Sequence, residues 1–133
     1  MRWVEQKPKC GDIVRVKCKF YYHYGLFEDA KHVIQFGLPD NTGVNPDEIE
    51  VLSTDVQTFL AGGSLETAKL SLTEKAKRRS VKDTIAYAHE KIGMRGYNIL
   101  HNNCEHFVNE CVFGVAYSTM VSGVREDVKK KMQ

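Results

Sequence analysis

The stretch Asn102-Asn103-Cys104-Glu105-His106-Phe107-Val108-Asn109-Glu110 organises the rest of the chain. Asparagine is a preferred N-cap, so Asn103 is expected to open a helix whose first residue is Cys104. Phe107, Val108, Cys111 and Val112 form its buried side, and Gly114 supplies the stop. The cysteine's position has chemical weight. Unpaired N–H groups and partial positive charge at a helix start favour thiolate over thiol, and the same amides can hold an oxyanion. The bland alternative is a small buried hydrophobe.

Upstream, Ser80 with Asp83 has the Ser-x-x-Asp form of a capping box, and Val81, Ile85, Ala88 and Ile92 repeat at helical spacing until Gly93. The basic run Lys75, Lys77, Arg78, Arg79 reads as a solvated connector, with contact to an anionic head group or membrane surface as the alternative. From Gly11 to Phe20, Val14, Val16, Cys18 and Phe20 point one way while Ile13, Arg15, Lys17 and Lys19 point the other, a half-buried strand. Tyr21–Phe27 and His32–Phe36 flank the polar Glu28-Asp29-Ala30-Lys31 and form an antiparallel hairpin. The stretch from Gly37 to Asp47, with Pro39 and Pro46, is a loop. Ile49–Leu52 is a short strand, Ser53 caps a turn through Phe59 and Leu60 that Gly62-Gly63 ends, and Leu65–Leu72 is a weaker strand. Beyond Gly114, Met120, Val121, Val124 and Val128 suggest a C-terminal helix docked on the domain, ending in Lys129-Lys130-Lys131. The fold class expected is α+β: an antiparallel sheet of roughly four to six strands packed by helices.

Composition bounds the function. At 133 residues and 42% hydrophobic, the chain can build one core, so a single domain over 1–133 is expected, with residues 8–114 as core and 115–133 as tail. Nineteen Lys and Arg against 17 Asp and Glu give a net charge of +2, which argues against a nucleic-acid partner. No apolar run approaches the ~18–20 residues of a membrane span. Arg2, Glu5, Lys7 and Lys9 leave no room for a signal sequence in the first nine residues. A cytoplasmic protein without a transmembrane anchor is the expectation.

Cys10, Cys18, Cys104 and Cys111 are too few and too scattered for a disulfide scaffold, and roughly 10 Å of helical rise separates the last two. His101, Cys104 and His106 lack the paired spacing of structural zinc, so no metal is expected. A nucleophilic cysteine needs a base, and His23, His32, His89, His101 and His106 are the candidates. His106 follows Cys104 by two positions on the same helix and faces elsewhere, while His89 reads as a surface residue. His101 could reach back across the turn. His23 lies in the aromatic run Tyr21-Tyr22-His23-Tyr24-Gly25, shielded enough to have a defined orientation, with Gly25 permitting close approach of backbone or substrate.

The run Asn103–Glu110, the upstream Gly11-Asp12-Ile13-Val14, and His23-Tyr24-Gly25 followed by Val33-Ile34-Gln35-Phe36 resemble the lecithin:retinol acyltransferase-like domain, within the permuted branch of the NlpC/P60 thiol enzymes. The resemblance runs from about Pro8 to Gly114. The tail looks more like the bacterial members, since the hydrophobic C-terminal anchor of several animal relatives is missing. The resemblance implies Cys104 as nucleophile and His23 as general base, with no cofactor. In the family pattern a second histidine stands twelve residues after the first; here that position holds Gln35. A Gln carbonyl can orient an imidazole as a neutral acceptor, as Asn does in papain-like sites. The alternative third member is His32, if a bulge in the hairpin turns it inward.

The resulting expectation is a thiol acyl-transfer enzyme working through a thioester on Cys104, with an acyl ester, phospholipid-like or amide substrate and peripheral membrane contact. Tyr22 and Asn103 are candidates beside the oxyanion. A non-catalytic binding domain of the same fold, or an NlpC/P60-like amidase or peptidase, is the alternative. A reactive Cys104 would be more readily alkylated than Cys10, Cys18 or Cys111.

Overall fold

The computed structural model describes residues 1–18, 21–37, 46–97 and 103–114. Its architecture is α+β, a six-stranded antiparallel sheet packed with helices. The strands are β1 (Arg2–Val4), β2 (Ile13–Lys17), β3 (Tyr22–Asp29), β4 (His32–Gly37), β5 (Glu50–Thr54) and β6 (Leu65–Lys69), arranged β1-β6-β2-β3-β4-β5. The helices are α1 (Val56–Leu60), α2 (Leu72–Lys77), α3 (Val81–Lys91) and α4 (Cys104–Phe113), with one 3-10 turn at Pro46–Glu48. Among the described residues no helix is long and apolar enough to cross a membrane.

Alternation along the strands divides the sheet's side chains between two cores. On one face Ile13, Tyr24, Leu26, Ile34, Phe36 and Val51 meet Ala88 of α3 and Phe107, Val108, Cys111 and Val112 of α4. On the other, Val14, Val16, Phe27 and Val33 pack against Phe59 of α1. Strand β2 is therefore covered on both faces rather than half-buried, because Ile13 and Val14 are both core residues. That follows from its central place between β6 and β3. Leu26, Ile34, Val14, Val33 and Val51 are all but inaccessible, each contributing about 1.5–3 kcal/mol of burial.

The hairpin forms as the sequence indicates, with Ala30-Lys31 as its turn and a bulge between Phe27 and Asp29. Helix α4 also keeps its expected bounds. Asn103 accepts from the His106 N–H, the His106 side chain accepts from the Asn103 N–H, and Gly114 closes the helix in the left-handed region.

Several expectations change. Ser53 does not cap α1; it lies within β5 opposite Ile34, and Asp55 caps instead by accepting from the Thr58 N–H. The strand expected over Leu65–Leu72 stops at Lys69, because Ser71 and Glu74 form a reciprocal capping box that starts α2. The basic run is no mere connector. Lys75 and Lys77 are exposed on α2, but Arg78 donates to the Gly11 carbonyl, and the Arg79 N–H donates to Val112 O at the end of α4. Ser80 does cap α3 through the Asp83 N–H, and Ile85 and Ala88 face the core as expected, joined by Thr84, while Val81 and Ile92 are each 43% exposed. Residues 19–20, most of the 37–47 loop, His101 and the tail 115–133 lie outside the described residues.

Candidate active site

His23 lies on the α1 face of β3, opposite Val16 in the register. Its Nε2 donates to Gln35 Oε1 at 2.5 Å. The Gln35 amide donates in turn to Thr54 Oγ1 at 2.7 Å, and the Thr54 hydroxyl donates to the Asp55 carbonyl at 3.1 Å. This relay has one direction. Because the Thr54 hydroxyl is committed as a donor, the Gln35 NH2 must face it and the Gln35 oxygen must face the imidazole. Nε2 therefore carries the proton and Nδ1 presents a lone pair. Phe59 lies against the imidazole, with ring centroids 5.3 Å apart. Burial depresses the His23 pKa, outweighing the Gln35 hydrogen bond that raises it, so the ring is neutral at pH 7.

Gly25 makes room for this packing. A Cβ there would stand 2.7 Å from Phe59 and 2.8 Å from Val33, so the group approaching the glycine is the Phe59 ring rather than backbone or substrate.

Cys104 belongs to the core on the α4 face, 1% exposed, and reaches β3 where the sheet splits. Strands β3 and β4 pair from Asp29↔His32 to Leu26↔Ile34, and the ladder ends there although both strands continue. Amide directions alternate along a strand. The Phe27 N–H donates toward β2, to the Asp12 carbonyl, so the N–H groups of Leu26 and Tyr24 point toward β4. At Tyr24 no β4 partner is in register, and its amide bonds the Cys104 sulfur instead. The helix-start amides of Cys104 and Glu105 also point to the sulfur.

These donors do not offset desolvation. Burial pushes the Cys104 thiol up to about 11, while the Tyr24, Cys104 and Glu105 amides pull the other way. Burial thus opposes the thiolate that the helix N-terminus favours. Reactivity toward an alkylating agent is accordingly a poor discriminator, since Cys10 is exposed and Cys104 is buried. All four cysteines are free thiols.

The site thus joins His23 to Gln35, and Cys104 to the amide of the residue after His23. Among the described residues no hydrogen bond joins Cys104 to His23. His32 stays exposed despite the bulge, its Nδ1 2.8 Å from Asp29 Oδ1. His89 is exposed and pairs with Glu28. His106 is buried and spent in the α4 cap, as is the Asn103 side chain. Tyr22 turns to the α4 face, where its ring stacks on Arg15. Burial raises the pKa of two phenols, Tyr21, where Cys18 adds to the rise, and Tyr97, which is pushed up to about 12. Thr54, Phe59 and Tyr97 are contributions that the sequence did not single out.

The profile described as lecithin retinol acyltransferase matches residues 6–117. Phospholipase A and acyltransferase 4 of Homo sapiens is 27% identical over 132 residues, covering 92% of this chain and 80% of that protein. Phospholipase A and acyltransferase 3 of Homo sapiens is 27% identical over 133 residues, covering 93% of this chain and 82% of that protein. Lecithin retinol acyltransferase of Rattus norvegicus is 28% identical over 140 residues, covering 90% of this chain and 60% of that protein. With most of its length matched and both cores assembled around the hairpin and the Asn103-Cys104 helix, the chain belongs to the lecithin retinol acyltransferase family.

Proposed function

We propose that this protein transfers acyl groups from lipid esters through a thioester on Cys104. The observation that supports the reading is the end of the β3–β4 ladder, where the Cys104 sulfur meets the amide of Tyr24, the residue after His23, whose imidazole is oriented by Gln35. His23 Nδ1 takes the thiol proton, and the sulfur attacks the ester carbonyl. A thiol resting near 11 and a neutral imidazole need no stored ion pair: the proton moves as the C–S bond forms. Catalytic hydrogen bonds are often long without substrate and tighten in the complex. Amides at the start of α4 hold the oxyanion. Collapse breaks the ester C–O bond, His23 returns the proton to the leaving alkoxide, and a thioester remains.

Water resolving that thioester makes a hydrolase; an alcohol or amine makes a transferase. The relatives carry both kinds of name, phospholipase A and acyltransferase. A reducing cytoplasm suits a thiol nucleophile among four unpaired cysteines. The reading predicts fatty-acid release from a short-chain phosphatidylcholine that Cys104→Ala abolishes and His23→Ala lowers by roughly 100-fold or more. Release unchanged in Cys104→Ala would refute it.

A further inference from the structure

On the α4 face of the sheet, Arg15 stands in a row with Glu66 on one side and Tyr24 on the other. Cross-strand partners share a face, so its side chain lies one strand from the Tyr24 amide that meets Cys104. The guanidinium lies over two rings, its Cζ 4.1 Å from the Trp3 centroid and 3.8 Å from that of Tyr22. Trp3 also touches the Tyr24 ring, with centroids 5.7 Å apart. The third restraint is Nε, which donates to Glu66 Oε1 at 3.0 Å.

All of these contacts use the faces and the Nε edge. The outer edge, carrying both terminal NH2 groups, donates to no described residue. The Arg15 side chain keeps 15% of its surface exposed, and no buried side-chain nitrogen or oxygen among the described residues lacks a partner, so the exposure falls on that edge. A clasp tying β1 to β3 would need only the stacked faces. An immobilised guanidinium with a free two-donor edge is preorganised for a tetrahedral oxyanion, which it can bind bidentately with little further loss of side-chain freedom. Glu66 lowers the net charge of the row but occupies the opposite edge.

We propose that the free edge of Arg15 binds the phosphate of a phospholipid substrate, making Arg15 a specificity-determining residue. The inference rests on the ester-cleaving reading above. In a glycerophospholipid the phosphate and the ester carbonyls hang from one glycerol, so a phosphate fixed one strand from β3 holds an acyl ester near the split where Cys104 lies.

The test uses ligands that cannot react. Binding of a short-chain dialkyl-ether phosphatidylcholine, kept below its micelle concentration, is compared with that of the matching dialkyl-ether glycerol lacking phosphate. Arg15→Gln is expected to weaken the phosphate-bearing ether about 10-fold while affinity for the neutral ether holds. Arg15→Lys keeps a stacked cation without the planar edge; its expected loss is about threefold, and it stands in should Arg15→Gln unfold. Equal weakening of both ligands, or of neither, overturns the proposal. Inorganic phosphate binding wild type as tightly as the ether phospholipid also overturns it, because the site would then serve the free anion. Ether binding does not depend on Cys104, so phosphatidylcholine turnover surviving Cys104→Ala would sink the thioester reading while Arg15 is still judged on binding.

Discussion

At His23 two influences oppose each other, and burial outweighs the hydrogen bond donated to Gln35. The imidazole must be neutral to act as base, so activity is lost as pH falls through a pKa below 6.5 and is full above it. The thiol rests near 11, so the thiolate ultraviolet absorbance that distinguishes wild type from Cys104→Ser is expected only in the alkaline range. Its presence at pH 7 would mean a preformed thiolate–imidazolium pair. Gln35→Ala removes the acceptor on Nε2 and should lower kcat roughly 10–100-fold, the equivalent of about 1–3 kcal/mol. His32→Ala, which touches only exposed Asp29, should leave kcat within twofold of wild type, about 0.4 kcal/mol. The reverse pattern would move the orienting role to His32. The family resemblance made Gln35 legible in the sequence, because it stands twelve residues after His23, where the family pattern has its second histidine. Thr54 and Phe59 were not legible: both arrive through β4–β5 pairing and α1 docking, contacts with no local signature.

Elements differ in how well local chemistry announces them. Helix α4 was readable from end to end because its cap, its apolar side and its terminal glycine agree. Helix α2 carries an equally plain signal in Ser71 and Glu74, masked by the lysines and arginines that suggested a solvated link. Ser53 and Asp55 are both good caps, and only the register of β5 against β4 decides between them. Asn103→Ala should cost about 1–2 kcal/mol, a fall of roughly 3–8 °C in Tm on thermal melting. Since the cap also sets the start of α4, activity should fall further than stability explains. Gly25→Ala tests the packing that positions His23. Its Cβ would overlap Phe59 and Val33, so a destabilisation of about 1–3 kcal/mol is expected together with a lower kcat. A fully active Gly25→Ala would mean that Phe59 does not hold the imidazole in place.

For the molecule as a whole, the order β1-β6-β2-β3-β4-β5 explains what alternation along one strand did not reveal. Strand β6 comes late in the chain yet inserts between β1 and β2, so β2 is central and its supposed outer side carries Ile13 in the core and Arg15 half-buried. His23, the proposed base, and Cys104, the proposed nucleophile, lie on opposite faces of one sheet. We propose that they act together where β3 and β4 part beyond Leu26↔Ile34, because the Tyr24 amide there meets the Cys104 sulfur and directly follows His23 in the chain. Intact mass spectrometry after rapid mixing with a short-chain phosphatidylcholine tests that proposed partnership most directly. Wild type should gain the mass of one acyl group, mapped by peptide digestion to Cys104, and His23→Ala should form the adduct at least about 100-fold more slowly. An acyl group on any other residue, or turnover with Cys104 replaced by Ala, would contradict the account.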